Sequence, residues 1–536
     1  MKTNLPIDLQ INACAFARAT DTRRHGNKIS NLRFQMLNCA ALLAFLFLGG
    51  NALAAEPPAE KPKPPATLQD LQRRIGAIVA NPKYAAALWG VKIASLDSGR
   101  VLVSVNEQKL FSPASNSKLY TMALGMDHLG PDYRIKTSLY ALSRPDANGM
   151  LNGDLIIYGR GDPTINNPDI YKAVEPLIAI LTNAGVKQIT GDIIGDDSFF
   201  HSAPFGSGWD WGDFENYYGA EISALTINSN LLQIAVKPGE TAGAPAQASF
   251  VQTTPYMVIS NRMRTVAKGE QYDVQLSRPV AENVVYLTGT VPLEHPQAIE
   301  ETTVHDMAGL FAAVFKDALA QHGITVGGRA RAMHYLDREV APLNLSECVE
   351  LGHVESLPFR EIIRAVEKPS QNLYTDLVLE HMGANMLDGK SEASGEQAGI
   401  RELNQFLQKV GIPRGQTIFE EGSGLSRDNL TSPFATVKLL TYMSHQSNAA
   451  VYIDALPIAG VDGTLRHRMR GTPAQNNVRA KTGTLRWANS LSGYVTSAAG
   501  EHLVFSLMLN RYQGGSKTED LDAIAELLAS FTGRTP

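Results

Sequence analysis

Apolar positions recur along the chain with two distinct periods. Leu68, Leu71, Ile75, Ile78 and Val79 fall at helical spacing. Trp89 to Leu96 then alternates as a strand does, Asp97-Ser98-Gly99 supplies a turn, and Arg100 to Val105 alternates again, so a helix followed by a hairpin is expected. Helical character returns at Leu119–Leu124. A strand over Leu155–Tyr158 ends in the turn Gly159-Arg160-Gly161-Asp162-Pro163, with a helix near Tyr171–Ala184 and another strand over Gln188–Ile194 beyond it. Residues 225–292 are rich in Val and Thr, alternate, and lack a long helical pattern, which predicts a small β domain. Residues 305–322 read as helix. From about 346 helix and strand patterns alternate again, ending in an amphipathic helix over Asp520–Phe531. No internal repeat interrupts this order, and the class it predicts is mixed α/β (α+β).

With 536 residues the chain is too long for one core. Its composition, 44% hydrophobic and 19% charged, is that of a soluble globular protein, and a net charge of −5 gives no support for a nucleic-acid partner. Charge is unevenly placed. Residues 1–54 carry six basic and two acidic side chains, a net +4, leaving −9 on the remainder. Arg33 precedes the apolar run Ala40–Leu48, followed by Gly49-Gly50 and by Ala52-Leu53-Ala54, a small-x-small pattern. Residues 1–54 therefore read as a secretory signal cleaved after Ala54, and a periplasmic location is expected. Arg23-Arg24 lies too far upstream of the run to mark a twin-arginine signal, and Cys39 has no lipobox around it. Residues 55–66 form a proline-rich spacer. Once Cys14 and Cys39 leave with the signal, Cys348 alone remains, set among acidic neighbours and read as structural. The final helix is acidic and poorly suited to a membrane surface, so membrane association is expected to be weak or absent.

Three short stretches carry candidate chemistry. In Pro113-Ala114-Ser115-Asn116-Ser117-Lys118 a serine and a lysine stand three apart, on one face of a helix starting near Ser115. A neutral lysine there is placed to take the serine proton. Ser370-Gln371-Asn372 precedes an apolar helical pattern and places a hydroxyl and an amide together. Lys481-Thr482-Gly483-Thr484 opens a strand, with glycine permitting close backbone approach. Taken singly these read as a capped helix start, a second capped helix and a turn with a solvated lysine. In this order they form the signature set of serine β-lactamases and penicillin-binding proteins.

The spacing narrows the choice. Ser115 and Ser370 are 255 positions apart, Ser370 and Lys481 are 111 apart, and the first gap is much too long for a β-lactamase. With Gly161-Asp162-Pro163-Thr164, Tyr217-Tyr218-Gly219-Ala220, Gly422-Ser423-Gly424-Leu425-Ser426-Arg427 and Leu456–Leu465, the chain resembles the D-alanyl-D-alanine carboxypeptidase/endopeptidases of the penicillin-binding protein 4 type (low-molecular-mass class C). It departs from the family pattern at Glu421, where aspartate is usual, and at Gly212-Asp213, where some relatives carry two acidic residues.

The resemblance implies a β-lactamase/transpeptidase-like domain, an antiparallel sheet flanked by helices, split into residues 67–131 and 346–536. Between the halves it places a mixed α/β insert (132–224 and 293–345) that itself holds the small β domain (225–292). It implies that Ser115 is the nucleophile, Lys118 its base, Ser370 and Lys481 a relay to the leaving amine, and Asn372 a support for substrate and Lys118. It also implies that Ser115 and Thr484 supply the oxyanion-hole N–H groups, and that Thr482, Gly483 and Thr484 hold the substrate carboxylate. Asp213 and Tyr217 are candidates for a substrate side-chain pocket, although a loop of this composition serves equally as interdomain packing. Asp162, Glu421 and Asp462 read as turn or loop anchors. The expected partners are peptidoglycan peptides, with β-lactams as covalent inhibitors and no metal or organic cofactor. A β-lactamase, a Ser-x-x-Lys esterase and a non-catalytic wall-binding protein are the alternatives, and the oligomeric state is left open. Proximity of Lys481 is expected to help lower the pKa of Lys118.

Overall fold

The computed structural model describes residues 63–387 and 394–535. The signal expected over 1–54 and most of the 55–66 spacer lie outside the described residues.

The molecule is built around a five-stranded antiparallel sheet in the order Val101–Val105, Leu88–Ser95, His502–Asn510, Ala488–Thr496, Arg479–Leu485. The hairpin of Leu88–Ser95 and Val101–Val105 thus pairs with the last described strand, so segments from both ends of the described residues form one domain. Both faces of the sheet are covered. Val91, Ile93, Leu491, Phe505 and Leu507 point toward helices Leu68–Val79 and Thr518–Ser530. On the other face Ala94, Tyr494 and Val504 join the larger cluster made by helices Ser117–His128, Phe359–Glu367, Asn372–Met386, Gly395–Val410 and Pro433–Ser444. The strands Ala488–Thr496 and His502–Asn510 are buried along nearly their whole length because neither of their faces meets water. The strand Arg479–Leu485, which carries Lys481, lies at one sheet edge.

Between the Ser117–His128 helix and the Phe359–Glu367 helix the chain makes a second five-stranded sheet, ordered Ala330–Met333, Ile193–Asp196, Leu155–Tyr158, Lys136–Ala141, Val349–Glu355. Helices Ile170–Asn183 and Met307–Gln321 bury their apolar stripes in the core of this region. Its last strand pairs antiparallel with Lys136–Ala141, so strand pairing runs past the boundary expected at 345. The β-rich stretch likewise runs past 292, because Ala298–Thr303 pairs with Leu231–Lys237. Around Ile234, Val236, Val285, Leu287 and Val291 it has a core of its own. Among the described residues no helix is long and apolar enough to cross a membrane.

Two groups of contacts tie the insert to the helices beneath the site. Asn166 Nδ2 donates to Tyr374 Oη at 2.8 Å, and Ser229 Oγ lies 3.1 Å from the same hydroxyl. Nearby, Ser202 Oγ donates to Glu380 Oε2 at 2.8 Å and accepts from Glu396 N, while Ser207 donates through both N and Oγ to the Glu396 carboxylate. Glu380 is buried, and the loss of solvent pushes its carboxyl up to about 8.

The folded state therefore holds a proton that the unfolded chain releases near the ordinary glutamate range. Stability is expected to fall as pH rises from about 5 to 8, with Glu380→Gln flattening the decline by roughly 1–3 kcal/mol. Urea unfolding of both proteins across that range is the measurement. An equally steep decline in the variant would refute the assignment.

Candidate active site

Ser115 is placed by a turn. The 3₁₀ segment Ala114–Asn116 leads into the helix Ser117–His128, so Ser115 lies just ahead of that α-helix. Ala114 takes φ +49°, a left-handed conformation disfavoured for a residue with a side chain. The turn is bolted to the sheet. Ser490 Oγ donates to Pro113 O at 2.6 Å, and Asn116 Nδ2 donates to Ser492 Oγ at 2.8 Å, which in turn donates to Ser506 Oγ. Two glycines make the close approach possible. A Cβ on Gly483 would stand 2.5 Å from Pro113 O, and one on Gly424 only 2.0 Å from Ala114 O.

The three stretches singled out in the sequence converge here. Lys118 is fully buried, and its Nζ lies 3.1 Å from Ser115 Oγ, 2.6 Å from Asn372 Oδ1 and 2.6 Å from Ser423 O. A neutral amine has two N–H groups and one lone pair. Asn372 Oδ1 and Ser423 O can accept only, so they take the two N–H groups. The lone pair is left for the Ser115 hydroxyl, the arrangement a base needs. Across the site Lys481 Nζ donates to Ser370 Oγ at 2.7 Å and to Thr482 O at 3.0 Å. Ser370 also takes a left-handed conformation, φ +67°. Its loop is held by Lys368, whose Nζ donates to Leu456 O at 2.6 Å and pairs with Asp462 at 2.7 Å.

Thr482 and Thr484 face different partners. The Thr482 hydroxyl lies 2.7 Å from that of Thr464, and Thr484 Oγ1 accepts from Asn489 Nδ2 at 3.1 Å. Asp213 turns back on its own loop, accepting from Asp210 N at 2.9 Å, while Asp210 pairs with Arg427 at 2.9 Å. Tyr217 is exposed and packs edge-on against Tyr218. Tyr218 O accepts from Asn372 Nδ2 at 2.9 Å, which sets this loop beside the site. Asp162 accepts from N and Oγ1 of Thr164, two residues on. Among the described residues no group of three or more His, Cys, Asp or Glu side chains is placed to hold a metal ion.

Buried carboxylates complete the electrostatics, and of these Glu421 alone was read from the sequence, as a loop anchor. Asp376 is one helical turn after Asn372 and accepts from Gly422 N at 3.0 Å. Glu421 is entirely buried and gathers donors from Ser423, Gly424 and Asn429 Nδ2. It thereby fixes the Ser423 carbonyl on which Lys118 rests. Burial lowers the pKa of Lys118, and the charges of Asp376, Glu421 and Glu367 oppose that shift. Burial lowers the pKa of Lys481 as well, Glu367 opposes that shift, and the neighbouring Lys118 adds to it. The 3.6-residue spacing from Asn372 to Asp376 was the available signal for Asp376. For Glu367, three residues before Ser370, the signal was its place on the apolar stripe of Phe359, Ile362, Ile363 and Val366.

Comparison with known proteins agrees with this geometry. The model of the D-Ala-D-Ala carboxypeptidase 3 (S13) family matches residues 71–531. The chain is 31% identical over 523 residues to the D-alanyl-D-alanine carboxypeptidase of Actinomadura sp. (strain R39), covering 95% of this chain and 93% of that one. Against the D-alanyl-D-alanine carboxypeptidase DacB of Haemophilus influenzae it is 27% identical, covering 79% and 86%. The crystal structure of penicillin binding protein 4 from Haemophilus influenzae superposes with a TM-score of 0.73 at 26% identity, covering 86% of this chain and 98% of that one.

Glu421→Ala would leave Ser423 N, Gly424 N and Asn429 Nδ2 short of an acceptor in a buried site. A loss of about 2–4 kcal/mol in denaturant unfolding is expected, and about half of it for Glu421→Gln, which keeps the shape and one acceptor. An Ala variant as stable as the wild type would contradict the anchoring role.

Proposed function

The chain belongs to the D-Ala-D-Ala carboxypeptidase 3 (S13) family and is a serine-type D-Ala-D-Ala carboxypeptidase, and from that premise we propose how its residues divide the work. Ser115 Oγ attacks the carbonyl of a terminal D-Ala-D-Ala bond while Lys118 Nζ takes the hydroxyl proton. The new Oγ–C bond forms as the C–N bond breaks, and the departing amine takes a proton from Lys481 through Ser370. Water then hydrolyses the ester along the same proton path in reverse. The observation that carries this reading is the buried Lys118 amine, 3.1 Å from Ser115 Oγ and 2.6 Å from each of two groups that can only accept, Asn372 Oδ1 and Ser423 O.

The strand Arg479–Leu485 lies at a sheet edge, which favours an extended peptide adding alongside it. In this reading Lys481, Thr482, Gly483 and Thr484 receive the terminal carboxylate, and N–H groups of Ser115 and Thr484 face the oxyanion. Losing one such donor costs about 10²–10³ in rate. Peptidoglycan stem peptides and their crosslinks, met in the periplasm, are the substrates, and β-lactams acylate the same serine. Asp213 and Tyr217 read the side chain of the substrate from the 208–220 loop.

Purified protein incubated with crosslinked and uncrosslinked muropeptides is expected to release terminal D-alanine, with products read by mass. Ser115→Ala should abolish release and Lys118→Ala should lower it by at least about 10³-fold. Rapid turnover of nitrocefin, rather than stoichiometric labelling by penicillin, would point instead to a β-lactamase. Asp213→Asn is expected to slow substrates that carry a side-chain amine more than substrates that lack it. Equal effects on both would remove Asp213 from the pocket.

A further inference from the structure

A cavity of about 550 Å³ opens at the end of the main sheet, where the turn Arg486-Trp487 joins the strands Arg479–Leu485 and Ala488–Thr496. Three arginines line it, Arg427, Arg486 and Arg511, together with Trp487, Tyr512 and Ser112, and no carboxylate does. Such a concentration of positive charge stands out in a chain whose residues from 55 onward carry a net −9. Arg427 is already paired, with Asp210 at 2.9 Å. Arg486 lies over the Trp487 ring, 4.3 Å from its centroid. Arg486 and Arg511 are both exposed, and neither has a carboxylate partner among the described residues.

The walls of the cavity are held in place. Trp487 and Arg511 sit at φ +64° and +62°, a conformation disfavoured for residues with large side chains. Arg511 N donates to Trp487 O at 2.7 Å and so locks these two turns together. The same walls are fastened to the reaction centre. Ser112 lies three residues before Ser115. Its N donates to Asn510 Oδ1 at 2.8 Å, and its O accepts from Asn510 Nδ2 at 3.2 Å. Beyond Arg511, Ser516 Oγ and Lys517 N donate to Asn489 Oδ1 at 3.1 Å and 2.9 Å, and Asn489 Nδ2 donates to Thr484 Oγ1 at 3.1 Å.

Strand direction fixes which part of a substrate arrives there. With the terminal carboxylate at Lys481 and Thr482 and the scissile carbonyl facing Thr484, the acyl half of the peptide runs on past Leu485 toward Arg486. Arg486 stands two positions beyond Thr484, roughly 7 Å along an extended strand. Guanidinium groups with no acid beside them select an anion, and their planar fork suits a carboxylate. We propose that this cavity is a subsite for the acyl half of the stem peptide, in which Arg486 and Arg511 bind a carboxylate carried two residues before the one that supplies the scissile carbonyl. The inference rests on the acyl-transfer reading above and deepens it by naming a feature of the donor peptide that the enzyme selects.

The test uses two synthetic peptides ending in D-Ala-D-Ala that differ only at that position, one with a free carboxylate and one with the carboxamide. D-Alanine release by the purified protein is followed at neutral pH and low salt. The wild type is expected to prefer the acid by roughly tenfold or more in kcat/KM, mostly through KM, and to lose much of the preference as salt screens the exposed charges. In Arg486→Gln and in Arg511→Gln the acid-to-amide ratio is expected to fall toward one, and Arg511→Lys to keep part of it. Equal kcat/KM of the wild type for acid and amide would overturn the proposal without recourse to any variant. Glutamine variants that slow both peptides alike and keep the ratio would overturn it too, since damaged packing does not tell a carboxylate from its amide. A wild type that releases D-alanine from neither peptide points instead at the parent reading.

Discussion

Burial of the Lys118 amine is the constraint around which the rest is arranged. An ammonium group in a dry interior is costly, and the cost falls if the group gives up its proton or finds matched acceptors. Here the acceptors come from places far apart in sequence: the amide of Asn372 and the carbonyl of Ser423. Neither is a loop free to adjust. Asn372 opens a helix with a buried face, and Ser423 sits on a turn organised around Glu421. The folded chain therefore has to be assembled before the Lys118 amine meets its acceptors.

The same logic explains the backbone conformations around it. Ala114 and Ser370 both sit at positive φ. Each is held by contacts that reach into a different layer: the Ala114 turn by sheet serines, and the Ser370 loop by Lys368 and the 456–464 segment. Strain of this kind persists only where the surroundings over-determine it. Reactive hydroxyls carried on such turns gain a fixed direction without needing large side chains of their own.

Much of this was legible in the linear chain, and the remainder had physical reasons not to be. The alternating runs near 89–105 and the helical spacing near 68–79 appear as strands and helix at those places, because local periodicity and burial agree there. Ser115, Lys118, Ser370, Asn372 and Lys481 stood out as ordered motifs, and the structure brings Ser115, Lys118 and Asn372 within hydrogen-bond reach in one group and Ser370 and Lys481 in another. Strand pairing past 292 and past 345 was not visible, since registers between distant strands leave no mark on local pattern. Asp376 and Glu367 were passed over for another reason: a charged residue in a sequence reads as surface until its surroundings are known, whereas Glu421, read as a loop anchor, does anchor its turn.

The amide of Asn372 joins two parts of the molecule that would otherwise be independent. Its oxygen meets the Lys118 amine, and its nitrogen is held by the carbonyl of Tyr218 in the aromatic loop of the insert. An amide fixed at both ends cannot turn over, so any displacement of that loop is handed on to the acceptor of the Lys118 amine. Change in the insert and change at that amine are mechanically linked by one side chain, and drift in a loop more than ninety positions along the chain from Ser115 has a direct route to its neighbour.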